Sequence, residues 1–158
     1  NTAELHGENS SEVGDGSRVA RRAYPVGLKS VEEGGALGAT CAHDGYARLR
    51  GRPVHRRTIE LSEGAVKWTD EVSGEGAHRL VGRIPLHPSV RAERVTDSAW
   101  KLVLPSGESL TLTAEGAALG EEQGRFSPEF GMTQERQVLV WVLEGSLPVS
   151  VSLALAVR

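Results

Sequence analysis

The sequence predicts an all-β fold, an antiparallel β-sandwich in a single domain. Three observations carry that reading. Strand signals recur at roughly eight- to twelve-residue spacing, no stretch sustains a helical 3.6-residue apolar period, and several neighbouring strands are joined by turns short enough for hairpins. Many antiparallel hairpins in one chain call for two packed sheets rather than a parallel one. At 158 residues the chain is one domain's worth, with no internal repeat and no linker, and long enough to bury a core without disulfides or metals.

Thr2 to His6 is a short strand candidate, and GENSSEVGDGS after it is loop chemistry; its Asn9-Ser10-Ser11 triplet formally matches a glycosylation acceptor. Ser17 to Tyr24 reads as a strand carrying Arg18, Arg21 and Arg22, Pro25 interrupts it, and Val26 to Val31 resumes before a turn at Glu32 to Gly35. Ala36 to Ala42 is small, apolar and uncharged, the profile of a strand buried on both faces. Asp44-Gly45 marks a tight turn or bulge. Val54 to Leu61 alternates, with Arg56, Thr58 and Glu60 on one face and Arg57, Ile59 and Leu61 on the other; Ser62-Glu63-Gly64 turns it into Ala65 to Val72, a hairpin.

The following strand puts His78, Leu80, Gly82, Ile84 and Leu86 on one face, with Pro85 and Pro88 keeping it from being central throughout. Val90 to Val95 is next, and then a hairpin of Trp100, Leu102 and Leu104 answered by Leu110 and Leu112 across Pro105-Ser106-Gly107-Glu108. Glu115 to Gly131 reads as a long polar connection in which Gly116 to Gly124 is moderately compatible with a helix. Val138 to Leu143 and Val149 to Val157 close the chain as two apolar strands.

Composition narrows the function classes. A formal charge of −3 gives no global drive toward nucleic acid or anionic membrane, and no window is apolar enough to span a bilayer. The single cysteine, Cys41, forbids an intrachain disulfide, which suits a cytoplasmic protein and equally a secreted bacterial enzyme with an adequate core. The first residue is Asn1 and the sole methionine is Met132, so a processed or truncated chain with more sequence upstream is expected. Fifteen arginines stand against three lysines; they are widespread, as a coding bias would leave them, although forked anion contacts would also favour arginine.

The most unusual stretch is Cys41 to Leu61, where Arg48, Arg50, Arg52, Arg56 and Arg57, with His55, run without an acid between Asp44 and Glu60. Guanidinium forks suit the carboxylates or sulfates of an anionic glycan; a solvated sheet edge and a contact with another domain are the other readings. His43 and Tyr46 are the local candidates for a base, yet on a regular strand their odd spacing points them to opposite faces unless a bulge at Gly45 re-aims them. The simpler reading has His43 and Asp44 satisfying backbone groups while Tyr46 packs. His78 and His87 with Asp70 match no recognised metal spacing, and Cys41 is alone, so neither a metal nor a cofactor is expected. No nucleophile elbow, phosphate loop or nucleic-acid module is present in the sequence.

NSSEVGDGSRVARRA from Asn9 to Ala23, HDGY from His43 to Tyr46, PVHRRTIEL from Pro53 to Leu61, the run from Asp70 through Gly74 and Gly76 to His78, Leu86-His87-Pro88, Phe126 to Gly131 and the final apolar hairpin together resemble the heparinase II/III-like family, in order and over nearly the full length. The resemblance implies the C-terminal β part of a polysaccharide lyase in which a helical toroid precedes antiparallel β-sheet domains and cleaves at a uronic acid by β-elimination. It implies that residues 1–158 are the C-terminal β-sandwich, that the catalytic histidine and the His–Asp metal region lie upstream, and that this chain holds no catalytic residue. His43, Tyr46, Arg48, Arg50, Arg52, His55, Arg56 and Arg57 are then the candidates for substrate contact. The expected partners are the upstream toroid of the same protein and an anionic polysaccharide, in a periplasmic or secreted setting, with a cytoplasmic one also open. The chain departs from the pattern at Gly14-Asp15-Gly16-Ser17, where members often carry aromatic residues.

Overall fold

A computed structural model describes residues 3–14, 19–33 and 36–157. Thr2, Arg18 and the Asp15 to Ser17 part of the departing loop lie outside them. The described chain is an antiparallel β-sandwich of fourteen strands without a helix, so no helix long and apolar enough to cross a membrane is present among these residues.

The larger sheet has eight strands: β4 (Pro25–Glu33), β5 (Ala36–His43), β6 (Val54–Ser62), β7 (Ala65–Ser73), β14 (Val149–Val157), β11 (Ser109–Glu115), β10 (Ala99–Val103) and β9 (Arg91–Thr96), in that spatial order. The smaller sheet runs β1 (Glu4–Leu5), β8 (Ala77–Pro85), β13 (Gln134–Ser146) and β12 (Leu119–Phe126). A two-stranded ribbon pairs β2 (Glu12–Val13), within the stretch the sequence assigned to loop, with β3 (Val19–Arg21), inside the strand read over Ser17 to Tyr24.

The alternation read from the sequence decides which side chains meet. Val72, Val151, Leu153, Leu112, Trp100 and Leu102 project from the larger sheet onto Leu5, Leu80, Leu119, Leu139 and Trp141 of the smaller one, all buried. Trp141 stands directly across from Gly82. Its indole occupies the space a side chain would need, so a Cβ at Gly82 would overlap the ring. The opposite face of the larger sheet is polar, with cross-strand hydroxyl bonds between Thr58 and Thr40 (3.0 Å) and between Thr69 and Ser152 (2.9 Å).

Three expectations need correction. Glu115 to Gly131 is not a connection throughout: Leu119 onward is β12, paired with β13 in a continuous register from Leu119↔Trp141 to Phe126↔Gln134, because sheet pairing and burial of Leu119 override a weak local preference. Pro25 does not interrupt a strand; it opens β4, where a missing N–H is tolerated. β5 is not buried on both faces, since Leu37 and Ala39 are exposed. No residue of β5 belongs to the core cluster between the sheets, which the larger sheet supplies from β7, β14, β11, β10 and β9.

Candidate functional site

A two-residue turn at Glu63-Gly64, with Gly64 at φ 72°, fixes the β6–β7 register so that Arg57 faces Asp70 across the ladder. The β5–β6 pairing then sets His43 opposite His55 and Cys41 opposite Arg57. Period-two alternation sends His43, His55, Arg57 and Asp70 to one face. Gly45 N–H donates to His43 Nδ1 at 3.3 Å, which leaves the ring proton on Nε2 to be donated to His55 Nδ1 at 3.0 Å. His55 Nε2–H in turn donates to Asp70 Oδ1 at 2.7 Å. Arg57 grips the same carboxylate from the other side, Nε to Oδ1 and Nη2 to Oδ2, each at 2.8 Å.

The electrostatics follow from this order. The Asp70 side chain is 1% exposed, and burial alone would raise its pKa. The hydrogen bonds from His55 and Arg57 outweigh burial and hold the carboxyl below the usual range. His43 is pushed down to about 4, first by burial and then by the neighbouring His55 and Arg57, against the pull of Asp44. It is a neutral imidazole at neutral pH. A shallow cleft of about 340 Å³, lined by Ala23, Pro25, Cys41, His43, His55 and Arg57, opens over this cluster.

Tyr46 is fully buried; its hydroxyl donates to the Ala3 carbonyl and its pKa is pushed up to about 12, by burial first and by Glu4 second. No regular strand runs from His43 to Tyr46. β5 ends at His43, and overlapping turns close by Ala47 N–H to Asp44 O (2.8 Å), Leu49 N–H to Tyr46 O (2.9 Å) and Arg52 N–H to Leu49 O (3.0 Å). Asp44 Oδ1 accepts the Tyr24 N–H at 2.8 Å. Gly45 packs so tightly that an added Cβ would overlap the Ser10 carbonyl oxygen and lie 2.7 Å from the Ala23 Cβ. Arg48 turns inward, bonding the Gly45 carbonyl, the Asn9 carbonyl at 2.7 Å and Glu12 at 2.8 Å. The HDGY turn and Arg48 together fasten the N-terminal segment to the hairpin.

The eight sequence-derived candidates therefore divide. His43, His55 and Arg57 share the cluster. Tyr46 and Arg48 are built into the turn. Arg56 lies exposed on the opposite, polar face, beside a cleft that includes Glu71 and Ser150. Arg50 and Arg52 are exposed on the β5–β6 connection, Arg52 with a left-handed φ of 47°. Arg50 lines a cleft of about 630 Å³ with His6, Leu49, Glu75 and His78.

In that cleft His6 and His78 form a second imidazole pair, Nε2 to Nδ1 at 3.1 Å, and His78 Nε2 meets the Glu75 carbonyl at 3.0 Å. His87 instead bonds Ser89 at 2.6 Å, so Asp70, His78 and His87 each have separate partners. Among the described residues, no three His, Cys, Asp or Glu side chains are grouped to hold a metal ion. Sequence reasoning missed Asp70 as the anchor of the cluster, although counting outward from the Glu63-Gly64 turn places it opposite Arg57. It also missed His6, whose partner lies 72 residues away with no local signal.

The family model described as heparinase II/III-like, C-terminal, matches residues 1–153. Among solved structures, the chain is similar to the heparan sulfate lyase HepC from Pedobacter heparinus, at 15% identity and a TM-score of 0.73, over 99% of this chain and 24% of that one. It is likewise similar to the heparinase III that is the BT4657 gene product, at 16% identity and a TM-score of 0.73, over 99% of this chain and 23% of the other. At such identities the likeness establishes the fold, and the chain spans about a quarter of the length of these structures. A search of curated proteins by sequence returned no match.

Proposed function

The chain belongs to the heparinase II/III-like family, whose C-terminal part it matches over residues 1–153, and on that footing we propose that it is the C-terminal β-sandwich of a polysaccharide lyase that cleaves uronic-acid-containing polysaccharide by β-elimination. In this reading a helical toroid and a further β segment of the same protein carry the chemistry, in the periplasm or outside the cell, and the chain alone turns nothing over. The observation that carries the reading is the family match over residues 1–153.

The side chains within the chain agree with a supporting role. Elimination needs a base to remove the proton beside the uronate and a donor or cation to neutralise its carboxylate. Tyr46, with a capped hydroxyl and a pKa raised to about 12, is unsuited to the first task. His43 has both ring nitrogens engaged. Arg57 is committed to Asp70. The test is the ultraviolet absorbance of unsaturated uronate product on heparan-type and other uronate polymers. Turnover is expected from a protein carrying the toroid, and turnover by this chain alone would overturn the proposal.

A second reading gives the sandwich a share in holding the anionic polymer, and Arg50 on the wall of its cleft is the observation in its favour. Retention on a heparin-type matrix at low salt, lost at high salt and lost in Arg50→Glu, is the expected result. Retention unchanged in that variant would remove Arg50 from the account.

A further inference from the structure

His6 and His78 meet in the cleft beside Arg50, and their surroundings fix how the pair can be used. His78 lies on β8 and is 7% exposed. The Glu75 carbonyl can only accept, so His78 Nε2 carries a proton and donates it there at 3.0 Å. In the neutral ring Nδ1 then holds a lone pair, and this lone pair faces His6 Nε2 at 3.1 Å. The orienting carbonyl is itself held in place. Glu75 N–H donates to Gly51 O at 2.9 Å, and a Cβ on Gly51 would overlap the Glu75 oxygen.

His6 reaches the pair from a tight turn at the end of β1. Glu8 N–H closes that turn on Leu5 O at 2.8 Å, with His6 at φ 53° and Gly7 at φ 81°. A left-handed backbone is uncommon for a residue other than glycine. The His6 N–H donates to Arg79 O at 2.9 Å, just past the Leu5↔Leu80 pair, which sets its ring beside β8.

A metal-ligating imidazole characteristically gives its far N–H to a carbonyl or carboxylate, which fixes the tautomer and aims the other nitrogen. His78 has that arrangement. Two imidazoles on neighbouring corners of a tetrahedral zinc ion, each with Zn–N of about 2.0–2.1 Å, hold their nitrogens about 3.3 Å apart. The 3.1 Å between His6 and His78 is close to that spacing. We propose that His6 Nε2 and His78 Nδ1 form a two-imidazole site for a divalent transition ion of the zinc class, with water in its remaining positions. Loading moves the His6 proton from Nε2 to Nδ1, an exchange that its exposed ring makes through solvent. The charged residues lining the cleft are Arg50 and Glu75, whose charges cancel. Among the described residues no third ligand completes the set, so binding is weaker than at a closed four-ligand site. The ion ties the turn after β1 to β8. His43 and His55 also meet nitrogen to nitrogen, but His55 is committed to Asp70, whose carboxylate the Arg57 cation shares.

The experiment strips the chain of metal with a chelator and titrates it with Zn²⁺ by calorimetry, then with Mg²⁺ and Ca²⁺, which prefer oxygen ligands. The expected result is one zinc per chain at micromolar concentrations and no uptake of the other two ions. His6→Asn suits the left-handed turn but lacks the imidazole, and its affinity should fall roughly tenfold or more, as should that of His78→Gln. His43→Gln should bind as the parent does. A second readout is melting: an ion that binds only the folded chain stabilises it, so zinc should raise the midpoint of the parent by several degrees and leave that of His6→Asn unchanged. Absence of zinc uptake by the parent would overturn the proposal. So would uptake undiminished in His6→Asn, or uptake lost in His43→Gln.

Discussion

Arg57 and Asp70 stand directly opposite each other on adjacent strands, joined by two parallel 2.8 Å bonds, while His55 closes the same carboxylate from its remaining side at 2.7 Å. With its carboxylate satisfied from two directions, Asp70 can be carried at 2% exposure inside a sandwich. Replacing Asp70 with Ala leaves a guanidinium and an imidazole without their acceptor. The expected loss is about 3–5 kcal/mol, read by chemical denaturation. Arg57→Ala in combination should lose less than the two single changes added together.

The cluster also sets a pH dependence. His43 stays neutral in the folded protein down to about 4, whereas once unfolded it protonates near its ordinary value of 6.5. The unfolded chain binds more protons in that window, so stability is full above about 6.5 and drains as the pH falls toward 4. Asp70, held below 3.8 when folded, adds a further loss as the pH falls through its depressed value. Melting midpoints measured from pH 7.5 to pH 4 should fall along this course, and His43→Gln should flatten the upper part.

Gly82 and Trp141 test the packing of the smaller sheet. Because a Cβ at Gly82 would overlap the indole, Gly82→Ala is expected to cost about 1–3 kcal/mol. Trp141→Leu in the Gly82→Ala background should recover part of that cost, as judged by urea midpoints.

The arginines, similar in sequence, should separate sharply under alanine substitution. Arg48, its side chain 8% exposed and bonded to Asn9, Gly45 and Glu12, is expected to cost about 2 kcal/mol. Arg56, exposed on the polar face, should stay within about 0.5 kcal/mol. Equal effects would contradict the placement of Arg48 in the turn.

Much of the larger sheet was legible in the sequence, because its strands are joined by short turns and each carries its own alternation. Val54 to Val72 and Trp100 to Leu112 are local hairpins whose chemistry is written at the turn. β12 was hidden because Gly120, Glu121 and Glu122 carry no strand preference, and the strand exists through its partnership with Val138 to Trp141. The site was read half-way for a similar reason. His43, His55 and Arg57 stood out by type, but the residue that organises them is an aspartate on the next strand. Charge crowding suggested a single arginine patch, yet period two places Arg56 and Arg57 on opposite faces.

The pairing of β1 with β8 joins Leu5 to Leu80, whereas β6 and β7 close across two residues. The entropic cost of closing a loop rises with its length, and distant pairings form slowly. Hairpins of the larger sheet are therefore the expected nucleus, with β1 expected to dock after them. Tyr46, bonded to Ala3, would then act late on the path: Tyr46→Phe should hasten unfolding while leaving the refolding rate nearly unchanged. The turn that holds Tyr46 would, in time, be the clasp closed last.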